Sequence, residues 1–401
     1  MIIRPDAVLL DSGEIVPGVE VCILEGTIDR IRPWTKAARE ENGLLLSCAF
    51  VNAHSHLEYY DLIGQVEADD YWAWIQEIVR LKPLRPMHQV AEAAELAAHT
   101  NRATGVSAIG EHSDWPVSGD AIRNAGLGGR IFQEVITMRE WADPEEKVAR
   151  VAEAATINAK SSGLPVHLAP HTPFTVHPDA LRAIFQSGSP TSIHVAESRY
   201  EREFFERGEG PIAGLYRQLG VPIEPPGISP VAYIAALGGL TESTQLVHVC
   251  DLHEEDVWRI GSARCKIAHC PRSNVALGCP PAPIRELQSA GATVGLGMDS
   301  AASSGPIDMF AEMRAAVHVA EGRGDVLGAE SVWRMATTDA AISIFSERRW
   351  EMIEGGQPDL MLMDTGRWTR LPEIIANCAP RSVMRVINVA KREEPASQPA
   401  P

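Results

Sequence analysis

Little in this sequence ties it to a membrane, a nucleic acid or the oxidising exterior. None of its 401 residues falls in an uninterrupted apolar run of about 18, the length a helix needs to cross a bilayer. The opening MIIRPDAVLLDSG has no basic stretch followed by an apolar core, so no secretory signal is expected. Positive charge is scarce: 36 Lys and Arg stand against 53 Asp and Glu, a formal net charge of −17. That balance gives no electrostatic reason to expect nucleic acid or an anionic membrane surface as partner. The seven cysteines are an odd number and form no C-x-x-C pair, and several sit inside apolar runs such as QLVHVC. Small buried thiols in a reducing compartment fit this better than a disulfide framework, so the cytoplasm is the expected location. Neither a solenoid repeat nor a block of like charge occurs, and only the tail KREEPASQPAP (391–401) reads as flexible.

What the chain does have is a rhythm. Short runs rich in β-branched and small apolar residues alternate with longer stretches of helical period, the pattern of βα units and a parallel sheet. The runs are LLSCAFVNAH (45–54), GVSAIGEH (105–112), RIFQEVI (130–136), LPVHLAPH (164–171), TSIHVAE (191–197), TQLVHVC (244–250), RCKIAHC (264–270) and ATVGLGMD (292–299). Helices are expected between them, for example over 89–103 and 145–161. Eight strands over about 250 residues match a (β/α)8 TIM barrel, an α/β fold. The two ends read as alternating strands with glycine turns, each too small for a core of its own. The expected organisation is therefore a barrel over 47–348 and a small composite β-sandwich built from 1–46 and 349–390.

Barrel strands deliver their C-terminal residues to one face, where active sites form. At those expected ends stand His54 and His56, His171, His194 with Glu197, His248, His269 and Asp299. A core has little use for so many ionisable groups, since each costs free energy unless paired. A lone H-x-H such as His54 and His56 is more often a pair of hydrogen-bonded strand histidines. Joined by H-x-x-E, a strand-end histidine and a final aspartate at barrel spacing, it reads as a metal site. Three imidazoles and a carboxylate suit zinc, with iron or another divalent metal as the alternative.

On these motifs the sequence resembles the amidohydrolase superfamily, in the branch holding cytosine, guanine and S-adenosylhomocysteine deaminases and triazine hydrolases. The matching stretches are FVNAHSH, APHTPFTV (169–176), IHVAES (193–198), LVHVC, AHCPRSNVALG (268–278) and GLGMDSAAS (295–303). Within the branch, APHTPFTV followed by IHVAES looks most like adenosine-type deaminases, particularly those of 6-amino-6-deoxyfutalosine in menaquinone biosynthesis. Two departures stand out: Cys48-Ala49 replaces a usual Pro-Gly, and Met298 replaces a common Thr. Neither removes a catalytic group.

Carried over position by position, the resemblance implies metal ligands His54, His56, His194 and Asp299. It makes Glu197 the proton shuttle and gives His248 the attacking water or the departing group. His171 would hydrogen-bond a ring nitrogen. No lysine sits in 164–171, where two-metal relatives carry a bridging carboxylated one, so a single divalent ion is expected. The implied partner is a small heterocycle, with a homodimer as the expected assembly. The implied reaction is hydrolytic deamination of an amino-substituted purine or related ring. Dechlorination or cyclic-amide opening could use the same site, as could a non-catalytic metal-binding homologue, although Glu197 and His248 speak against the last. Other residues stay open. His269 is either core or site, and Asn274 either a turn residue or a pocket donor. Trp72 and Trp74 are either packing or cover over the substrate, with Trp74 the candidate contact. His112 and His167 are expected to be structural.

Overall fold

The computed structural model describes residues 1–34, 41–66, 68 and 70–389. The expected flexible tail at 391–401 lies outside them. Eight parallel strands follow one another as β1 (Phe50–Ser55), β2 (Val106–Ser113), β3 (Gly128–Val135), β4 (Val166–Pro170), β5 (Thr191–Val195), β6 (Thr244–His248), β7 (Lys266–His269) and β8 (Thr293–Leu296). They form two four-stranded arcs, β1 to β4 and β5 to β8, each paired in sequence order. The arcs meet at both edges. Ser55 bridges Asp299 in parallel, and the His54 carbonyl accepts the amides of Met298 at 3.0 Å and Asp299 at 2.9 Å. On the other side, the His194 amide donates to the His171 carbonyl at 3.0 Å.

The helices between strands form where local signals agree. Pro144–Ser162 starts behind Asp143, whose carboxylate accepts the Glu146 amide, with proline in its first turn. It stops at Gly163, which takes φ +69°. That is the expected pairing of an N-terminal cap and proline with a C-terminal left-handed glycine.

Both termini contribute to one five-stranded sheet, in the order Val383–Ile387, Leu360–Met363, Glu41–Cys48, Pro5–Leu9, Ile15–Pro17. A three-stranded sheet of Ile2–Ile3, Val19–Leu24 and Thr27–Pro33 lies beside it. Val8, Leu46, Leu360 and Leu362 from the first and Val21, Ile23 and Ile28 from the second share one apolar cluster. The same cluster takes in Val51, Ala53 and Ala340, so the terminal sheets share their apolar packing with the barrel.

Two expectations are corrected here. The run 45–54, read as one strand, is two strands in different sheets that part at Ala49. Its amide donates to the Asp359 carbonyl, while Val51 two residues on donates to Ala336. The expected boundary between 46 and 47 therefore falls inside the strand Glu41–Cys48. At the other end, 353–390 holds a helix, Leu371–Asn377, as well as strands. Its Leu371, Ile374 and Ile375 are buried at helical spacing, and so short a period is hard to tell from alternation. All seven cysteines are free. Among the described residues, no helix is long and apolar enough to cross a membrane.

Close approach at one glycine links this frame to the site. A Cβ on Gly297 would lie 2.7 Å from His54 Cβ and 3.0 Å from its amide nitrogen. Gly297→Ala should therefore push β1 away from β8 at His54. The expected loss is about 1–3 kcal/mol of stability, the usual cost of overpacking. Urea unfolding measures it, and an unchanged midpoint would show that the strands yield without cost.

Candidate metal and active site

Three imidazoles and one carboxylate converge at the C-terminal end of the barrel. His56 Nε2 lies 3.4 Å from His194 Nε2 and 3.8 Å from Asp299 Oδ1. His54 Nε2 lies 3.4 Å from Asp299 Oδ1. Two donors each about 2.1 Å from a tetrahedral ion stand about 3.4 Å apart, so the spacing fits one metal. The other nitrogen of each ring is already engaged. His54 Nδ1 meets His112 Nδ1 at 2.9 Å, His56 Nδ1 meets the His112 carbonyl at 3.1 Å, and His194 Nδ1 meets the His171 carbonyl at 2.9 Å. Such partners fix ring orientation and leave Nε2 free to ligate. His54 Nε2 is buried with no hydrogen-bond partner among the described residues, which fits a ligating atom.

Electrostatics suits the same role. Burial pushes His56 down to about 3 and His194 well below the usual imidazole range, so both rings are neutral and able to coordinate. Burial opposes the charge on Asp299, but His54, His248 and His56 together offset it and hold the carboxyl below its usual range. Asp299 Oδ2 also accepts the Ser273 hydroxyl at 2.6 Å.

Glu197 and His248 flank the cluster without being among the four. His248 Nε2 is 3.5 Å from Glu197 Oε1. Burial, with Asp299 as the next cause, pushes the Glu197 carboxyl well up. Glu201 accepts the amides of Ala196 and Glu197, both at 2.9 Å, and so holds the turn that presents Glu197. Ala196, His248 and Asp299 have φ of +52°, +74° and +52°. Left-handed backbone costs a non-glycine residue on the order of 1–3 kcal/mol, and such strain gathers at functional sites.

A cavity of about 410 Å³ opens over these groups, lined by His56, His171, His194, Glu197, His248 and Asp299 and walled by Trp72, Trp74 and Phe174. Trp74 therefore stands where a substrate contact was expected, and so does His171. Asn274 does not line the cavity. Its Nδ2 sits 3.0 Å behind His248 Nδ1, so it orients that ring and is not a pocket donor. Donation to Nδ1 leaves the His248 proton on Nε2, facing the cavity. His269 is buried with no hydrogen-bond partner on either ring nitrogen among the described residues, and it lies outside the cavity lining.

Sequence reasoning missed Tyr71, Ser273 and Glu134. Tyr71 lines the cavity beside Glu197 from the helix Tyr71–Leu81, capped by Asp70. Asp70 in turn accepts the Tyr200 hydroxyl at 2.9 Å, which holds that helix over the site. An acid or hydroxyl on a strand end or a covering helix carries no spacing signal of its own.

Residues 45–389 match the model of the amidohydrolase family. The chain belongs to the amidohydrolase family. The family is metal-dependent, and the chemistry it brings here is hydrolysis at a carbon–nitrogen bond. The chain is 31% identical over 318 residues to the aminodeoxyfutalosine deaminase of Deinococcus radiodurans, covering 75% of each. It is 27% identical to the 5-methylthioadenosine/S-adenosylhomocysteine deaminase of Halobacterium salinarum, over 88% of this chain and 78% of that one. In fold it is similar to a zinc-bound adenosine deaminase from Xanthomonas campestris, with a TM-score of 0.82 at 23% identity, covering 97% and 92% of the two chains. It is likewise similar to the Helicobacter pylori aminofutalosine deaminase, with a TM-score of 0.80 at 20% identity, covering 98% and 100%.

If the four donors hold one ion, purified protein should carry about one equivalent of divalent metal and His194→Ala should lose most of it. Elemental analysis decides this. Full metal content in His194→Ala, or two tightly held ions, would overturn the assignment.

Proposed function

We propose that the chain is a mononuclear, zinc-dependent aminohydrolase. In this reading it replaces the ring amino group of an adenine-type nucleoside with oxygen and releases ammonia. The carrying observation is Glu197, a buried carboxyl that is not among the four converging donors yet faces the cavity beside them. 6-Amino-6-deoxyfutalosine is the first candidate substrate, supported by the name of the 31% identical relative. The seven free cysteines suit a cytoplasmic setting, and a homodimer is the proposed assembly.

His54, His56, His194 and Asp299 would hold the ion. A divalent cation bound there supplies a nucleophile at neutral pH, by lowering the pKa of water toward about 7. The chain's own residues do the rest. Glu197 takes one proton from the attacking water and gives it to the ring nitrogen beside the reacting carbon. It then takes the second proton of that oxygen and gives it to the departing amine, which leaves as ammonia as the C=O bond forms. The Glu201-held turn keeps its carboxyl in place for that relay. His248 offers its Nε2 proton to the oxygen as charge develops there. His171 Nδ1 is 3.0 Å from the Thr175 hydroxyl, which leaves its other nitrogen for a ring nitrogen on the far side of the substrate. Trp72, Trp74 and Phe174 exclude water above the ring.

Glu197→Gln should retain metal and fold while losing roughly 10²–10⁴ in turnover, the usual contribution of a general acid–base group. Near-normal turnover would place the shuttle elsewhere. The substrate is tested by kinetics on adenine-ring, guanine, cytosine and chlorotriazine compounds side by side, with ammonia release as the readout. Adenine-ring compounds should lead and yield the hypoxanthine product, with 3-deaza analogues poor. His171→Ala should lower kcat/KM without losing metal. A cytosine or chlorotriazine that outruns every adenine-ring compound would overturn the purine reading and leave the metal assignment standing.

A further inference from the structure

The cavity has a second polar wall that the hydrolytic machinery does not use. Glu134 stands near the end of β3, in register with Ala169 of β4, and is only 5% exposed. It lines the cavity, and its Oε1 has no hydrogen-bond partner among the described residues. The nearest donor, His194 Nδ1, is 3.6 Å away, and its one proton is spent on the His171 carbonyl at 2.9 Å. Glu134 is thus not the group that orients His194. A buried carboxylate oxygen in this state is expensive until something donates to it.

The neighbours sharpen the chemistry. Asp114, just past β2, receives both the Tyr59 hydroxyl and the Lys82 ammonium on Oδ2. Lys82 also lies over the rings of Tyr59 and Trp115, 5.7 and 5.0 Å from their centroids. The ammonium of this group is therefore already held. Arg139, Lys147 and Glu140 line the same cavity, so net charge does not choose the ligand. What Glu134 adds is a carboxyl oxygen with no donor of its own among the described residues, which a hydroxyl suits.

The ring's own geometry says which hydroxyls reach it. In an adenine nucleoside the ring nitrogen across from the amino-bearing carbon lies next to the carbon that joins the sugar-bearing nitrogen. With the reacting carbon at Glu197 and the opposite nitrogen at His171, β5 is already taken up by His194 and Glu197, so of the two strands beside β4 it is β3 that is left for the sugar. The His171 amide donates to the Val135 carbonyl at 3.1 Å, so the two strand ends adjoin there. Resting on the deaminase reading above, we infer that Glu134 is a substrate-positioning residue that accepts hydrogen bonds from the vicinal 2′,3′-hydroxyls of a purine ribonucleoside. The site then selects a free ribose diol over the bare base and over nucleosides that lack it.

The test compares adenosine with 2′,3′-dideoxyadenosine on the metal-loaded wild-type enzyme, Glu134→Ala and Glu134→Gln. Wild type should favour adenosine in kcat/KM by about tenfold or more, as for a site built to hydrogen-bond a hydroxyl. Glu134→Ala should lose about that factor on adenosine and less than about twofold on the dideoxy compound, with unchanged metal content. Glu134→Gln, which keeps the shape and one acceptor, should lose less. Equal losses on both substrates, loss of metal, or a wild type that treats the two alike would each overturn the inference. Turnover of neither nucleoside by wild type would bring down the deaminase reading and this inference together.

Discussion

Three imidazole nitrogens and a carboxylate oxygen that converge in a largely dry pocket constrain everything around them. In a dry interior such groups cost free energy unless something satisfies them. The barrel supplies half of the solution by tying down the other end of each group. The His112 ring and carbonyl, the His171 carbonyl and the Ser273 hydroxyl fix His54, His56, His194 and Asp299 in place. In the proposed reading a divalent ion supplies the rest.

That rigidity reaches back through the strands. Asn52 is buried two residues before His54, and its Oδ1 accepts the Met298 amide at 2.9 Å, which couples β1 to the segment that carries Asp299. Its Nδ2 donates to Asn101 on the helix Met87–Ala103 at 3.3 Å. Gln245 on β6 donates to the Ala53 carbonyl at 3.1 Å and the Ser343 carbonyl at 3.0 Å, so the sixth strand is tied across the barrel to the first. The terminal sheets meet the same strand from below. The Trp350 indole donates to the Ala49 carbonyl at 3.1 Å, one residue before β1 begins. The strand bearing two of the converging donors is thus fixed at its start, middle and end by three different parts of the chain.

The strands and the converging residues were legible because both follow rules of spacing. A strand shows as a run, and a ligand shows as a polar residue at the end of that run. His54, His56, His194, Glu197, His248 and Asp299 all obey this. The split at Ala49 was not legible, since two successive strands in different sheets make one continuous apolar run. Asn274 was read as a choice between a turn and a pocket donor because sequence gives a residue's place on a loop but not the direction of its side chain. Glu134 and Tyr71 were silent for a related reason. A single acid or hydroxyl in an apolar run gains meaning only when the cavity wall is known.

This division follows from how the barrel is made. The reacting end of the cavity is assembled from β1, β5, β6 and β8, whose registers tolerate little change because a slip of one residue reverses every side chain. The other end is assembled from β2, β3 and the segment 70–84, where Asp114, Glu134, Lys82, Trp72 and Trp74 answer to no common ligand. Trp72, Trp74, Lys82 and Asp114 there are not among the converging donors, so they shape the space that the cavity offers. A family built this way keeps one chemistry and varies its substrates, and the variation sits in the residues that sequence motifs do not mark. In the proposed reading, the chemistry of this chain is carried by its histidines and its choice of substrate by the opposite wall of the cavity.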